Sequence, residues 1–87
     1  MIKEGFVLRQ MPGMNLVMPT GSRVKDFGGA LMLNETGALI FSSLKEGGSI
    51  DETVQRILDT YDVDEAKARA DVLKTVTALK EAGVIAE

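Results

Sequence analysis

Few side chains in this chain have types and spacings that could do chemistry. Asp62, Asp64 and Glu65 place three carboxylates together, the kind of set that could hold a hard cation. Their Asp-x-Asp spacing lacks the glycine and the terminal Glu of a calcium loop. Capping of a following helix accounts for them better. Gly47-Gly48-Ser49 looks like the opening of a phosphate loop, but no lysine or second glycine motif follows at the spacing such a loop needs. It reads instead as a helix stop followed by a helix cap. Thr36, Ser42, Ser43 and Thr75 carry hydroxyls that become nucleophiles only beside a base. The chain has no histidine to serve as one, and no cysteine for a thiolate, a disulfide or a soft metal site. These absences predict a protein that is not an enzyme and that needs no metal or cofactor.

Composition narrows the rest. Eighty-seven residues, 45% of them hydrophobic, predict a single domain over residues 1–87. A chain of this size buries about 60–65% of its unfolded surface, so its core is small. The net charge of −3 argues against a nucleic-acid partner, which needs a basic face to displace counterions. No apolar run is long enough to span a bilayer, and residues 1–5 lack the apolar segment of a secretory signal, so the expected location is the cytoplasm, away from membranes.

The elements that would position a site fall in two halves. Residues 6–11 and 14–18 are rich in strand formers, and Pro12-Gly13 between them suits a type II turn, giving a hairpin. Arg23 to Phe27 form a polar connection. Residues 29–33 then read as a third strand, completing an antiparallel meander. Ala30 to Leu33 are apolar at every position, which predicts cover on both faces. Asn34 is a natural N-cap, with Leu33 and Ala38 spaced as a hydrophobic staple. From there the apolar period becomes helical. Gly37, Ile40, Phe41 and Leu44 form one stripe, and Val54, Ile57, Leu58 and Tyr61 a second behind the capping box Ser49…Glu52. A third helix spans about 65 to 82, with Ala68, Val72, Val76 and Leu79 facing the core and Gly83 set as its left-handed stop. Strands followed by helices predict an α+β domain, a three-stranded antiparallel sheet packed on three helices, whose last two form a helix-turn-helix pair.

The third strand is a sheet edge unless something covers it, and residues 29–33 contain no lysine, proline or inward charge to block pairing. An extended peptide could therefore add as a further strand. Met11, Met14, Met18 and Met32 sit in or near the sheet, where methionines more often fill gaps in a core but also suit a surface that accepts varied partners. On the third helix, Ala66, Arg69, Leu73 and Thr77 lie on a flank beside the core stripe, which reads either as a partly covered helix flank or as one wall of a groove whose other wall is strand 29–33.

These residues also carry a family resemblance. The order Gly5-Phe6…Arg9, Phe27-x-Gly29, Leu33-Asn34-Glu35-Thr36-Gly37-Ala38, Tyr61-Asp62-Val63-Asp64, Asp71-Val72…Leu79 and Ala82-Gly83-Val84 resembles the PqqD family over nearly the whole chain. Members are also described as RiPP recognition elements, after the ribosomally made, post-translationally modified peptides whose precursors they bind. Two positions depart: the family often has an aromatic residue where Ser42 and Thr75 stand. The resemblance implies a winged helix-turn-helix-like arrangement and a non-catalytic peptide chaperone. The leader segment of a precursor peptide would dock as an antiparallel strand on the third strand, against the third helix. A second partner, commonly a radical S-adenosylmethionine enzyme, would carry out the modification. Mapped onto this sequence, Gly29, Ala30, Leu31, Met32 and Leu33 would bind the leader through their backbone. Val72, Leu73 and Val76 would form an apolar wall, with Arg69 as a cation for a leader carboxylate. Two alternatives differ in class. One is a winged-helix DNA-binding regulator, although residues 65–80 offset their Lys and Arg with Glu65 and Asp71 and contain no Asn or Gln. The other is a homodimer whose exposed edge pairs with its own copy.

Overall fold

The computed structural model describes residues 1–21 and 30–85. The expected connection Arg23–Phe27 and the site candidate Gly29 lie outside the described residues. Three strands precede three helices: β1 (Phe6–Met11), β2 (Met14–Pro19), β3 (Leu31–Leu33), α1 (Glu35–Lys45), α2 (Ile50–Thr60) and α3 (Glu65–Glu81). The fold is α+β, with an antiparallel sheet in the order β1-β2-β3.

The hairpin closes where the sequence places it. Met11 pairs with Met14 across Pro12-Gly13, and Gly13 takes a φ of 74°, the positive value that a type II turn requires at its second central residue. Each helix begins on its expected cap. Asn34 accepts from the Gly37 amide at 2.7 Å, and Asp64 from the Lys67 amide at 2.8 Å. At α2, Ser49 and Glu52 exchange both bonds of the capping box, at 2.8 and 3.1 Å. The end of α3 is a Schellman stop. Gly83 has a φ of 84°, its amide donates to Lys80, and the Val84 amide donates to Leu79 at 2.9 Å. That stop turns the chain back, so that Lys3 donates to the Val84 carbonyl and Ile2 bridges Ile85.

The core joins Phe6 and Val17 of the sheet to Ile40, Phe41 and Leu44 of α1, Val54 and Ile57 of α2, and Ala68, Val72 and Leu79 of α3. Leu58, Tyr61 and Val76 are half-buried at its margin. Inside it, the Ser43 and Thr53 hydroxyls meet at 2.7 Å, and Thr53 donates onward to the Ser49 carbonyl. This link ties α1 to the cap of α2, and it explains why a serine can sit fully buried on an apolar helix face.

Candidate functional site: the open edge of β3 and the cleft beside α3

Register decides which way each backbone group of β3 points. Thr20 donates to the Gly5 carbonyl, so residues 5 and 20 form a hydrogen-bonded pair, and the pairs 7–18, 9–16 and 11–14 follow by alternation. Pro19, with no N–H, falls in a non-bonded pair with Phe6. The Phe6 carbonyl then points away from β2, where Lys45 Nζ reaches it at 2.7 Å. On β2, Asn15 and Val17 must therefore bond toward β3, opposite Leu33 and Leu31. Met32 pairs with Leu16 at the remaining, non-bonded position. Its N–H and C=O face outward, on the side where among the described residues the sheet has no further strand. Ala30, two residues earlier, shares that orientation by the same alternation.

Side chains alternate in step. Leu31 and Leu33 pack onto the core, while Met32 projects to the other face and is 66% exposed. The expectation that β3 is covered on both faces is thus corrected. Four apolar residues in a row are here a short strand with one open face, because only Leu31 and Leu33 reach the helices.

Along this edge runs a cleft of about 500 Å³. One wall is Met32 and Leu33 of β3 with Asn34, Thr36 and Gly37 at the start of α1; the floor is Ile57, Tyr61 and Val63; the far wall is Lys67, Asp71, Lys74, Thr75 and Ala78 of α3. Gly37 sits tightly under the cap. A Cβ there would lie 3.2 Å from both Asn34 Oδ1 and Leu33 Cβ, which accounts for glycine in the first turn of α1.

The helix wall differs from the one expected. At 100° per residue, 67, 71, 74, 75 and 78 form a single stripe on one side of the buried line Ala68–Val72–Leu79, whereas 66, 69, 73 and 77 lie on the other side. Val72 is fully buried in the core and Val76 packs at its edge. Leu73 is 48% exposed, away from the cleft. Arg69 is already engaged: its guanidinium meets Asp51 at 3.1 Å and Glu65 at 3.4 Å, tying α3 to the start of α2. Its hydrogen bonds to Asp51 and then Glu65 hold its pKa above the ordinary arginine value. Of the candidates, the structure brings Met32 and Leu33 into the cleft, with Ala30 and Leu31 continuing the same strand edge. Thr75 lines the cleft too, so one of the two departures from the family pattern falls in the site itself.

Among the described residues no group of three His, Cys, Asp or Glu side chains could hold a metal ion. No described helix is long and apolar enough to cross a membrane. What the cleft offers is a strand edge unpaired among the described residues, beside a helix wall of mixed polarity, a geometry suited to taking up an extended chain.

Comparison with known proteins agrees with this architecture. Residues 14–85, from the start of β2 through the turn after α3, match the family described as coenzyme PQQ synthesis protein D. The chain belongs to the PqqD family. The fold is shared with two solved structures. One is "Lasso peptide synthetase B1 complexed with the leader peptide", at a TM-score of 0.78 and 26% identity, covering 100% of this chain and 96% of the other. The other is "TbiB1 in Complex with the TbiA(beta) Leader Peptide", at 0.76 and 22%, covering 99% and 98%. No curated protein matches the sequence.

Proposed function

We propose that the protein is a RiPP recognition element, a peptide-binding chaperone that takes up the leader segment of a precursor peptide by β-strand addition. The observation that carries this reading is the outward N–H and C=O of Met32, on a strand edge that no other strand among the described residues pairs, set beside the cleft. The leader adds antiparallel to β3, in keeping with the rest of the sheet, and bonds to the backbone of Met32 and Ala30. Its side chains opposite Leu31 and Leu33 turn into the cleft toward Ile57, Tyr61 and Val63, and the one opposite Met32 stays on the outer face. PqqD membership and the two similar structures, both described with leader peptides, support the same reading.

The chain contributes recognition and no chemistry of its own. A separate modifying enzyme acts on the peptide it presents, and a radical S-adenosylmethionine enzyme is the class to test first. The deciding experiment is an NMR titration of labelled protein with synthetic peptides encoded by short reading frames beside its gene. Shifts concentrated at residues 30–33 and along 67–78 are expected. Shifts confined to the flank 66–69–73–77, or a concentration-dependent dimer through β3 with no response to peptide, would overturn strand addition of a leader.

A further inference from the structure

The cleft is locally positive in a protein of net charge −3. Among the described residues three charged side chains line it, Lys67, Asp71 and Lys74. Lys67 is engaged, its Nζ lying 3.3 Å from Asp71, and the two neutralise each other. Lys74 forms no ion pair or hydrogen bond among the described residues, so its charge is uncommitted. The start of α1 lines the opposite wall through Asn34, Thr36 and Gly37, and the amide end of a helix adds partial positive charge there. Glu35, in that same turn, faces the neighbouring depression beside Asn15 and Ala38 and does not line the cleft.

Strand addition gives this charge a position in the peptide. Tyr61 lines both the cleft and the depression beside Asn15, whose partner is Leu33, so the Tyr61 end of the cleft is the Leu33 end of β3. Lys67, near the start of α3, lies toward that end, and Lys74 and Ala78 lie progressively further along. A strand antiparallel to β3 therefore enters beside Tyr61 and runs in the direction of α3. Its inward residue opposite Leu33 meets the apolar floor of Ile57, Tyr61 and Val63. Its next inward residues, at even spacings toward the C-terminus, pass Lys74.

We propose that Lys74 is a specificity-determining residue that selects a peptide carrying Asp or Glu an even number of positions C-terminal to its apolar anchor. This rests on the strand-addition reading, and Lys74 replaces Arg69 as the cation of the site. The test uses a phage-displayed library of random dodecapeptides panned separately against the wild-type protein and Lys74→Glu. Lys74 is exposed, so the variant should keep the wild-type amide spectrum. Peptides selected on the wild type should carry an acidic residue at the stated spacing, and those selected on Lys74→Glu should carry Lys or Arg there. An individual acidic peptide should bind Lys74→Glu at least tenfold more weakly. Peptides that shift the amides of residues 30–33 yet show no charge preference, or the same one on both proteins, would overturn the role of Lys74 while leaving strand addition standing. Selected peptides that leave those amides unmoved would overturn strand addition, and this inference with it.

Discussion

Replacing Met32 by proline separates peptide docking through the β3 backbone from peptide binding through side chains of the same surface. Its N–H points outward and its side chain is 66% exposed, so proline removes no bond to β2 and empties no core space. Leu31, the preceding residue, is already in a strand, the conformation that a following proline favours. Proline is tolerated on edge strands in this orientation. The variant should keep the wild-type fold, with the bonded pairs Asn15–Leu33 and Val17–Leu31 intact. Peptide binding should suffer. The peptide carbonyl opposite Met32 loses its donor and is left unsatisfied between β3 and α3, which costs about 1–3 kcal/mol. At 1.4 kcal/mol per tenfold, the dissociation constant rises about 5- to 150-fold. Calorimetric titration with a peptide that binds the wild type measures this directly, and Met32→Ala is the control, since it keeps the N–H and should bind within a few-fold of wild type. Equal affinity of Met32→Pro and wild type, in a protein with an unchanged sheet, would refute docking through this edge.

Other substitutions check the remaining assignments. Ala78→Glu, which places a bulky anion in the far wall, should lower peptide affinity at least tenfold, whereas Leu73→Asp and Arg69→Ala, on the flank away from the cleft, should leave it within twofold by the same titration. Thr53→Val should cost about 1–3 kcal/mol in urea unfolding because the Ser43 hydroxyl loses its buried partner, and Ser43→Ala combined with Thr53→Val should recover part of that loss. Asp64→Ala should cost about 1 kcal/mol by removing the acceptor for the Lys67 amide at the start of α3, visible as a lower urea midpoint with an unchanged slope.

The legible parts of this fold are those set by local rules. Asn34, Ser49 and Asp64 cap because a short polar side chain precedes an apolar-periodic segment, and Gly83 stops α3 because glycine takes a positive φ readily. The buried line Ala68–Val72–Leu79 follows from the same periodicity. Periodicity ranks residues by depth, but it does not say on which side of the deepest line the neighbouring sheet lies. Both flanks of α3 mix cations with small or apolar residues, Arg69 and Leu73 on one and Lys74 and Ala78 on the other. The choice between them is made by tertiary packing, and in the folded protein Arg69 is paired with Asp51 on α2. Arg69 and Asp51 stand 18 positions apart with no local pattern joining them. A similar long-range term hides the Ser43–Thr53 link, since a lone serine among apolar residues reads as a surface position until its partner is seen.

The two parts of the site are under different constraints, and this bears on how one fold can serve different peptides. A peptide added to β3 would be held through backbone groups, so almost any sequence there that stays extended and unprotected would preserve that docking mode; Ala30 to Leu33 need only avoid proline, inward charge and a covering strand. The stripe 67–71–74–75–78 lies on an α3 face that the core does not use, beside the fully buried Ala68, Val72 and Leu79. Substitutions on that stripe change charge and shape in the cleft at little cost to stability, because surface positions away from caps and packed cores typically shift it by no more than about 0.5 kcal/mol. Strand addition at this edge would thus place affinity mostly in a backbone that tolerates sequence change, and selectivity in side chains that are free to vary. An exchange of the five stripe residues between two members of the family, with β3 left untouched, should therefore exchange their peptide preferences while both proteins keep their folds.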